Sequence, residues 1–261
     1  MNNILITGGA GFIGSNLCER LLEEGNTIYC VDNFETSSEN NIKNFFSKEK
    51  FHLLNMDISV QQLNEIFLTT KINQIYNLAS PAAPQQFRNN PIKTLETNIQ
   101  GTINILNFSK NFNIPILHAS TIRVFESEHI GKNACYIEGK RCAETLLTEY
   151  RKKYNIDIKI ARLFNVYGKN MSLNDSRVIP QFIMKSLKDD DLEIFGNGTQ
   201  IDSFCYIDDI IDVLIKFMNA RTETILNIGN PITISIVDLA KLIINVLSSK
   251  SKIKFINPSF V

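Results

Sequence analysis

The apolar positions of this chain fall into two alternating patterns. Short runs with little polar interruption, Asn3 to Thr7, Thr27 to Asp32, Phe51 to Leu54, Gln74 to Ser80, Ile114 to Ser120 and Ile158 to Leu163, read as buried strands. Between them, Ser15 to Glu24 and Pro91 to Lys110 repeat apolar residues at a helical period, with Pro91 tolerated in a first turn. Ala134 to Glu144 opens a further helix, Arg177 to Pro180 another, and Tyr206 to Met218 and Ile236 to Leu247 are amphipathic. Strand and helix alternating this regularly predict an α/β fold, a Rossmann-type doubly wound parallel sheet. The segments beyond Leu163, including Ile194 to Gln200, predict a smaller C-terminal cap over the strand ends.

The first strand runs into Gly8-Gly9-Ala10-Gly11-Phe12-Ile13-Gly14 and then a helix. Read as G-x-G-x-x-G from Gly9 or as G-x-x-G-x-x-G from Gly8 through Gly11, the turn puts bare backbone where a pyrophosphate approaches the helix N-terminus, and Gly14 allows close packing of helix on strand. A glycine turn alone is a weak signal. This one is joined by Asp32 at the end of the second strand, where a carboxylate accepts from ribose hydroxyls and repels a 2′-phosphate, which favours NAD over NADP. Asp57 and Ile58, after the third strand, are placed to clamp an adenine, with an exposed turn aspartate as the plain alternative. Leu78 and Ala79 belong to a small-residue loop that the nicotinamide half can cross. The chain then divides into a dinucleotide-binding domain over 1–164, to which some later segments return, and a cap region over 165–261.

Tyr136 and Lys140 lie four apart, on one face of the predicted helix. A free tyrosine, with a pKa of about 10, is a poor base near neutrality, and a neighbouring ammonium stabilises its phenolate. Tyr136 is thus a candidate proton acceptor. By itself the spacing is common on amphipathic helices with a half-buried Tyr and a solvated Lys. The fifth strand, however, ends in Ser120-Thr121, and a hydroxyl there can bond a sugar hydroxyl while Tyr136 removes its proton and Lys140 holds the ribose. Capping the following turn is the alternative use of that hydroxyl. Arg177, near a helix start, suits a phosphate, against a default of simple solvation.

Composition narrows the partners. Lys plus Arg and Asp plus Glu number 27 each, so no global field recruits nucleic acid or a membrane surface. No apolar run reaches membrane-spanning length and no signal peptide is read at the N-terminus, which with five scattered cysteines predicts a reduced cytoplasmic protein. His52, His118 and His129 lack metal-ligand spacing, so no metal site is expected.

Several stretches together resemble the extended short-chain dehydrogenase/reductase family of nucleotide-sugar enzymes, within it the UDP-glucuronate decarboxylases. They are Thr7 to Gly14, Asn77-Leu78-Ala79-Ser80-Pro81-Ala82, Asn90-Pro91-Ile92-Lys93-Thr94, Ala134 to Glu144, Ala161 to Gly168 and Phe195 to Gln200. The resemblance implies Thr121, Tyr136 and Lys140 as catalytic, with Tyr136 and Lys140 also touching NAD. It adds Phe12, Ile13, Asn33 and Thr94 to the cofactor set, and it turns Lys93, Asn165, Arg177 and Gln200 towards a UDP-sugar. It further implies a homodimer formed through the helices holding Asn98 and Tyr136.

The departures from the family pattern lie where the chemistry is decided. Arg123 stands where the family carries a glutamate, and Asp202 where it carries an arginine, so an Arg123 to Asp202 pair is conceivable. The segment between Val124 and Tyr136 is shorter than in the family, and the cap is read as C-terminally shortened. The Asp-Glu pair of related 4,6-dehydratases is Ile122-Arg123 here, which argues against dehydration. Oxidation at C4 needs only Thr121, Tyr136, Lys140 and NAD, and a 4-keto acid then loses carbon dioxide readily. The readings left are the decarboxylase, a 4-epimerase or 4-oxidase of another nucleotide sugar, and an NAD-binding relative without turnover.

Overall fold

The computed structural model describes residues 1–60, 63, 66–126, 130–221 and 223–257. In chain order it begins β1 (Asn3–Thr7), α1 (Phe12–Glu23), β2 (Thr27–Asp32), β3 (Phe51–Asn55) and β4 (Gln74–Asn77). Helices α2 (Pro84–Asn89), α3 (Pro91–Glu96) and α4 (Thr102–Phe112) follow, then β5 (Ile116–Thr121), α5 (Ala134–Tyr154), β6 (Ile158–Leu163) and β7 (Asn165–Tyr167). The remainder is α6 (Val178–Ser186), β8 (Leu192–Phe195), β9 (Ile201–Tyr206), α7 (Ile207–Met218), β10 (Ile225–Ile228), β11 (Thr233–Ser235), α8 (Ile236–Val246) and β12 (Ile253–Ile256).

The main sheet has the order β10-β6-β5-β4-β1-β2-β3, and every pairing in it is parallel. Both faces of a parallel sheet are covered by helices, which is why its strands read as continuous apolar runs. Along β1 the side chains alternate: Ile4 and Ile6 join Leu17 and Leu21 of α1 and Leu214 of α7 on one face, while Leu5 joins Ile105 of α4 and Leu147 of α5 on the other. The strand order reverses at β1, which has β2 on one side and β4 on the other, and a crevice opens beyond the carboxyl ends there.

The helical stretch from Pro91 is not one regular helix. Between α3 and α4 lies a single π-helical turn, Thr97–Gly101. Three side chains bond back to carbonyls four residues earlier at this place: Thr94 to Asn90, Thr97 to Lys93 and Asn98 to Thr94, at 2.9, 2.9 and 2.8 Å. Such bonds compete with the regular ladder and bend helices.

The region after Leu163 serves two bodies. Its β10 completes the main sheet beside β6, and α7 packs on α1. The rest forms a smaller layer: β7, β9 and β11 in one sheet, β8 paired parallel to β12, and α6 and α8 closing a separate apolar cluster around Phe182, Ile194 and Leu239. These short strands were not readable as apolar runs, because one side of each faces water: β9 alternates exposed and buried positions, and only Ile228 of β10 is fully buried. Among the described residues no helix is long and apolar enough to cross a membrane.

Candidate active site

A cavity of about 530 Å³ follows the carboxyl ends of the strands from β2 to β6. At one end stands the glycine loop. Gly8 has φ +69°, a left-handed conformation that disfavours side chains, and a Cβ on Gly14 would lie 2.1 Å from the Gly8 carbonyl oxygen. The N-terminus of α1 carries no side-chain cap at Gly11, so the first-turn amides of Phe12, Ile13 and Gly14 face the cavity without helical partners. This is a seat for a pyrophosphate.

Asp32 ties that loop to the strand beside it. Its two carboxylate oxygens accept from the Ala10 amide at 2.9 Å, the Phe34 amide at 3.0 Å and the Ser37 hydroxyl at 2.7 Å. Asn33 donates to Asp57 at 3.1 Å, and Lys93 bridges to Asp57 at 2.6 Å and to Ser59 at 2.9 Å. Burial pushes the Asp57 carboxyl up, but the Lys93 ammonium and the Ser59 bonds outweigh it and bring the pKa down to about 2. Ile58, Leu78 and Ala79 line the cavity.

The other end is built by β5 and α5. Thr121 closes β5, and its hydroxyl accepts from the Arg123 amide at 3.3 Å, so it caps the short 3-10 turn Ile122–Phe125 while facing the cavity. Ser120 is committed elsewhere, donating to Glu144 at 2.6 Å, and Glu144 in turn holds Arg162. Tyr136 stacks on Phe87, with ring centroids 5.1 Å apart and planes 9° from parallel. Lys140 is buried and donates to the Ala119 carbonyl at 2.8 Å. Beneath it a polar chain crosses the sheet: Thr7 donates to Asn77 at 2.7 Å and Asn77 to His118 Nδ1 at 3.0 Å. Burial, and next the Lys140 charge, hold His118 well below its ordinary pKa and therefore neutral.

The electrostatics differ from the expected division of labour. Burial raises the Tyr136 pKa, and the groups that oppose it are the Thr121 hydroxyl, Arg177 and Arg123. Lys140 is not among them. Burial lowers Lys140 itself to about 7, with Glu144 pulling the other way, so its charge is half lost near neutrality. The strongest of the opposing influences on Tyr136 is the Thr121 hydroxyl, followed by the two arginines across the cavity.

Of the substrate-side residues, Asn165 and Arg177 line the cavity and Lys93 and Gln200 do not. Lys93 is drawn to Asp57, because an ammonium with two oxygen partners in reach gains more there than in an open cleft. Gln200 follows a glycine turn and bonds the Phe195 carbonyl at 3.3 Å. Thr94 is likewise withdrawn, fully buried with its hydroxyl on Asn90; Thr97, at the start of the π turn, lines the cavity instead. The conceivable Arg123 to Asp202 pair is absent: Asp202 accepts from Asn165 at 2.6 Å, and Arg123 pairs with Glu126 at 2.5 and 3.1 Å. Arg177 is held by Asp175 through Nε at 3.0 Å and Nη2 at 2.6 Å. Glu126 and Asp175 were missed in the sequence, although each lies only two or three positions from its arginine. Phe87 gave no local signal, since its role depends on the docking of α2 against α5. His129 lies outside the described residues, and among those described no group of side chains could hold a metal.

The cavity fits a dinucleotide: a glycine cradle that no Cβ can enter, free amides at a helix start, a carboxylate at the second strand and a Tyr and Lys opposite. Comparison with known proteins agrees. The chain is 38% identical over 267 residues to UDP-glucuronic acid decarboxylase 1 of Danio rerio, covering 97% of this chain and 62% of that protein. It is 39% identical over 268 residues to UDP-glucuronic acid decarboxylase 5 of Arabidopsis thaliana, covering 97% and 77%. The solved structure of UDP-glucuronic acid 4-epimerase from Bacillus cereus, in complex with UDP-glucuronic acid and NAD, superposes with a TM-score of 0.85 at 27% identity, over 98% of this chain and 86% of that one. The chain thus spans a little under two thirds of the Danio relative. The model of the NAD dependent epimerase/dehydratase family matches residues 4–229, and this chain belongs to that family.

Proposed function

We propose that this protein is an NAD-dependent nucleotide-sugar enzyme acting on UDP-glucuronate, nearest in reaction to the UDP-glucuronic acid decarboxylases it is similar to. The observation that carries the reading is the convergence of Thr121, Tyr136 and Lys140 at one end of a cavity whose other end is a dinucleotide cradle. NAD, when bound, supplies reversible hydride acceptance. Thr121 and Tyr136 hold the C4 hydroxyl of the sugar, and Tyr136 accepts its proton. Burial alone makes that uphill, so Arg177 and Arg123 lower the cost of the phenolate. Lys140, with a pKa of about 7, carries a proton to or from the site at working pH. Arg177, at the start of α6, suits the diphosphate. After oxidation the carboxylate is β to a ketone; carbon dioxide leaves as the bonding pair passes into a C4–C5 enolate, C5 then takes a proton, and C4 recovers the hydride together with the proton held by Tyr136, so that NAD is not consumed overall.

A second reading is a 4-epimerase that keeps the carboxylate, favoured by the arginine at position 123 where the resemblance places an acid. Incubation with NAD and UDP-glucuronate, followed by mass spectrometry and proton NMR of the nucleotide sugar, separates the two. Loss of carbon dioxide to a UDP-pentose, reduced at least about 100-fold in Tyr136→Phe with NAD affinity intact, is the expected result. An isomer of unchanged mass would establish the epimerase. Unchanged UDP-glucuronate with NAD bound would sink both. A cytoplasmic homodimer joined through the helices holding Asn98 and Tyr136 belongs to the same reading, and light scattering behind gel filtration measures it.

A further inference from the structure

The two arginines at the reaction end are held in different ways. Arg177 is gripped through both its side chain and its backbone amide by Asp175, whose side chain is only 5% exposed. That charge is compensated inside the protein. Arg123 is gripped only by Glu126, three residues on, in a pair whose side chains are 33% and 41% exposed. An ion pair this open is worth about 0–1 kcal/mol, so it yields readily to a better-placed anion. Among the described residues the Nη1 side of Arg123 has no partner.

The turn that presents Arg123 is nevertheless fixed. Thr121 caps it, and the Arg141 guanidinium donates to the Val124 carbonyl at 2.8 and 3.1 Å and to the Glu126 carbonyl at 2.8 Å. A guanidinium on an anchored turn, with an exchangeable counter-ion, is preorganised for a carboxylate. The place also suits one. Charged groups along the cavity are unevenly placed: Asp32, Glu35 and Asp57 lie at the nucleotide end, and Arg123, Lys140 and Arg177 at the other, where Asp175 compensates Arg177 and leaves Arg123 as the guanidinium free to exchange its partner. In a hexuronic acid the carboxylate is carried on C5, next to the C4 hydroxyl that Tyr136 would hold, and Arg123 is near enough to Tyr136 to act on it electrostatically.

We propose that Arg123 is the specificity-determining residue that binds the sugar carboxylate, exchanging Glu126 for it, so that the site selects nucleotide-linked uronic acids over neutral hexoses. This rests on the nucleotide-sugar reading above. A fork that pairs with the intact carboxylate also stabilises the state before carbon dioxide leaves, and so tunes how fast it leaves.

The test is calorimetric titration of the NAD-loaded protein with UDP-glucuronate, UDP-glucose and UDP. Arg123→Gln is expected to weaken UDP-glucuronate about 10- to 100-fold and the other two less than about twofold. Arg123→Lys keeps the charge without the fork and is expected to fall between. Glu126→Gln removes the competing carboxylate and is expected to increase the preference for UDP-glucuronate over UDP-glucose about threefold. Equal weakening of all three ligands in Arg123→Gln, no weakening, or a wild type without preference for UDP-glucuronate would overturn the assignment. If Arg123→Gln does not fold, as judged by melting and NAD affinity, Arg123→Lys decides the same question. The two claims fail separately. Selective loss in the variant with no turnover by the wild type leaves Arg123 standing and removes the enzyme reading; turnover with no selective loss does the reverse.

Discussion

The two ends of the cleft are built by opposite strategies. At the nucleotide end the two strand-end aspartates are committed: Asp32 accepts three hydrogen bonds, Asp57 is locked to Lys93, and the glycine loop admits no side chain. At the reaction end the charges are held under tension. Tyr136 is pushed up by burial, Lys140 is pushed down to about 7, and Arg123 rests on an exposed partner. The first end needs only to bind the same group each time, and rigidity serves it. On the proposed reaction the second end stabilises a charge that comes and goes, which an exchangeable pair such as Arg123 with Glu126 serves better than a locked one.

The largest break in this contrast is Gly14→Ala. Its Cβ would meet Gly8 backbone at 2.1 and 2.9 Å, neither of which can swing aside. We expect a loss of more than about 4 kcal/mol and no NAD binding, seen by urea unfolding and by cofactor titration. Lys140→Met should do the reverse to stability. Below pH 7 the native Lys140 is protonated in a buried site, and between pH 7 and 10.5 only the unfolded chain holds that proton, so wild-type stability rises with pH across this window. The variant is expected to be more stable than wild type by roughly 3 to 5 kcal/mol at pH 6, the gap closing towards pH 10.5, while turnover collapses. Urea midpoints at pH 6, 8 and 10 would show it, and a constant gap would mean that Lys140 keeps its ordinary pKa and stays protonated in the fold throughout.

A smaller effect belongs to the nucleotide end. Asp57 has a folded pKa of about 2, below its unfolded value, so its contribution is present above pH 4 and is lost as the pH falls towards 2. Lys93→Met should cost about 1 kcal/mol at pH 7 and progressively less below pH 4. Smallest of all, Gln200→Ala should change KM for UDP-glucuronate less than about twofold, since its side chain points back to Phe195. A larger change would return Gln200 to the substrate.

The glycine loop, Asp32 and the strand ends at Leu78 and Thr121 were legible because each is set by a local pattern, a strand followed by its turn. Tyr136 and Lys140 were legible as a pair on one helical face, but their electrostatics were not, because burial and the two arginines come from elements far away in the chain. Thr94 was misplaced because its hydroxyl serves the Asn90 carbonyl ahead of a π turn that no apolar period announces. The short strands of the cap region were invisible for a related reason: a strand wet on one side and three to six residues long leaves too few apolar positions to form a pattern.

The late arrival of β10 bears on how the chain is made. β6 is finished at Leu163, yet the neighbour that covers its outer edge comes only with Ile225. At ordinary rates of synthesis, about 5–20 residues per second, a nascent chain spends several seconds with that edge unpaired, its amides and carbonyls open to any passing strand. The closing strand therefore sets a window of vulnerability on the ribosome, and a chaperone that shields Ile158 to Leu163 during it would raise the yield of the finished sheet.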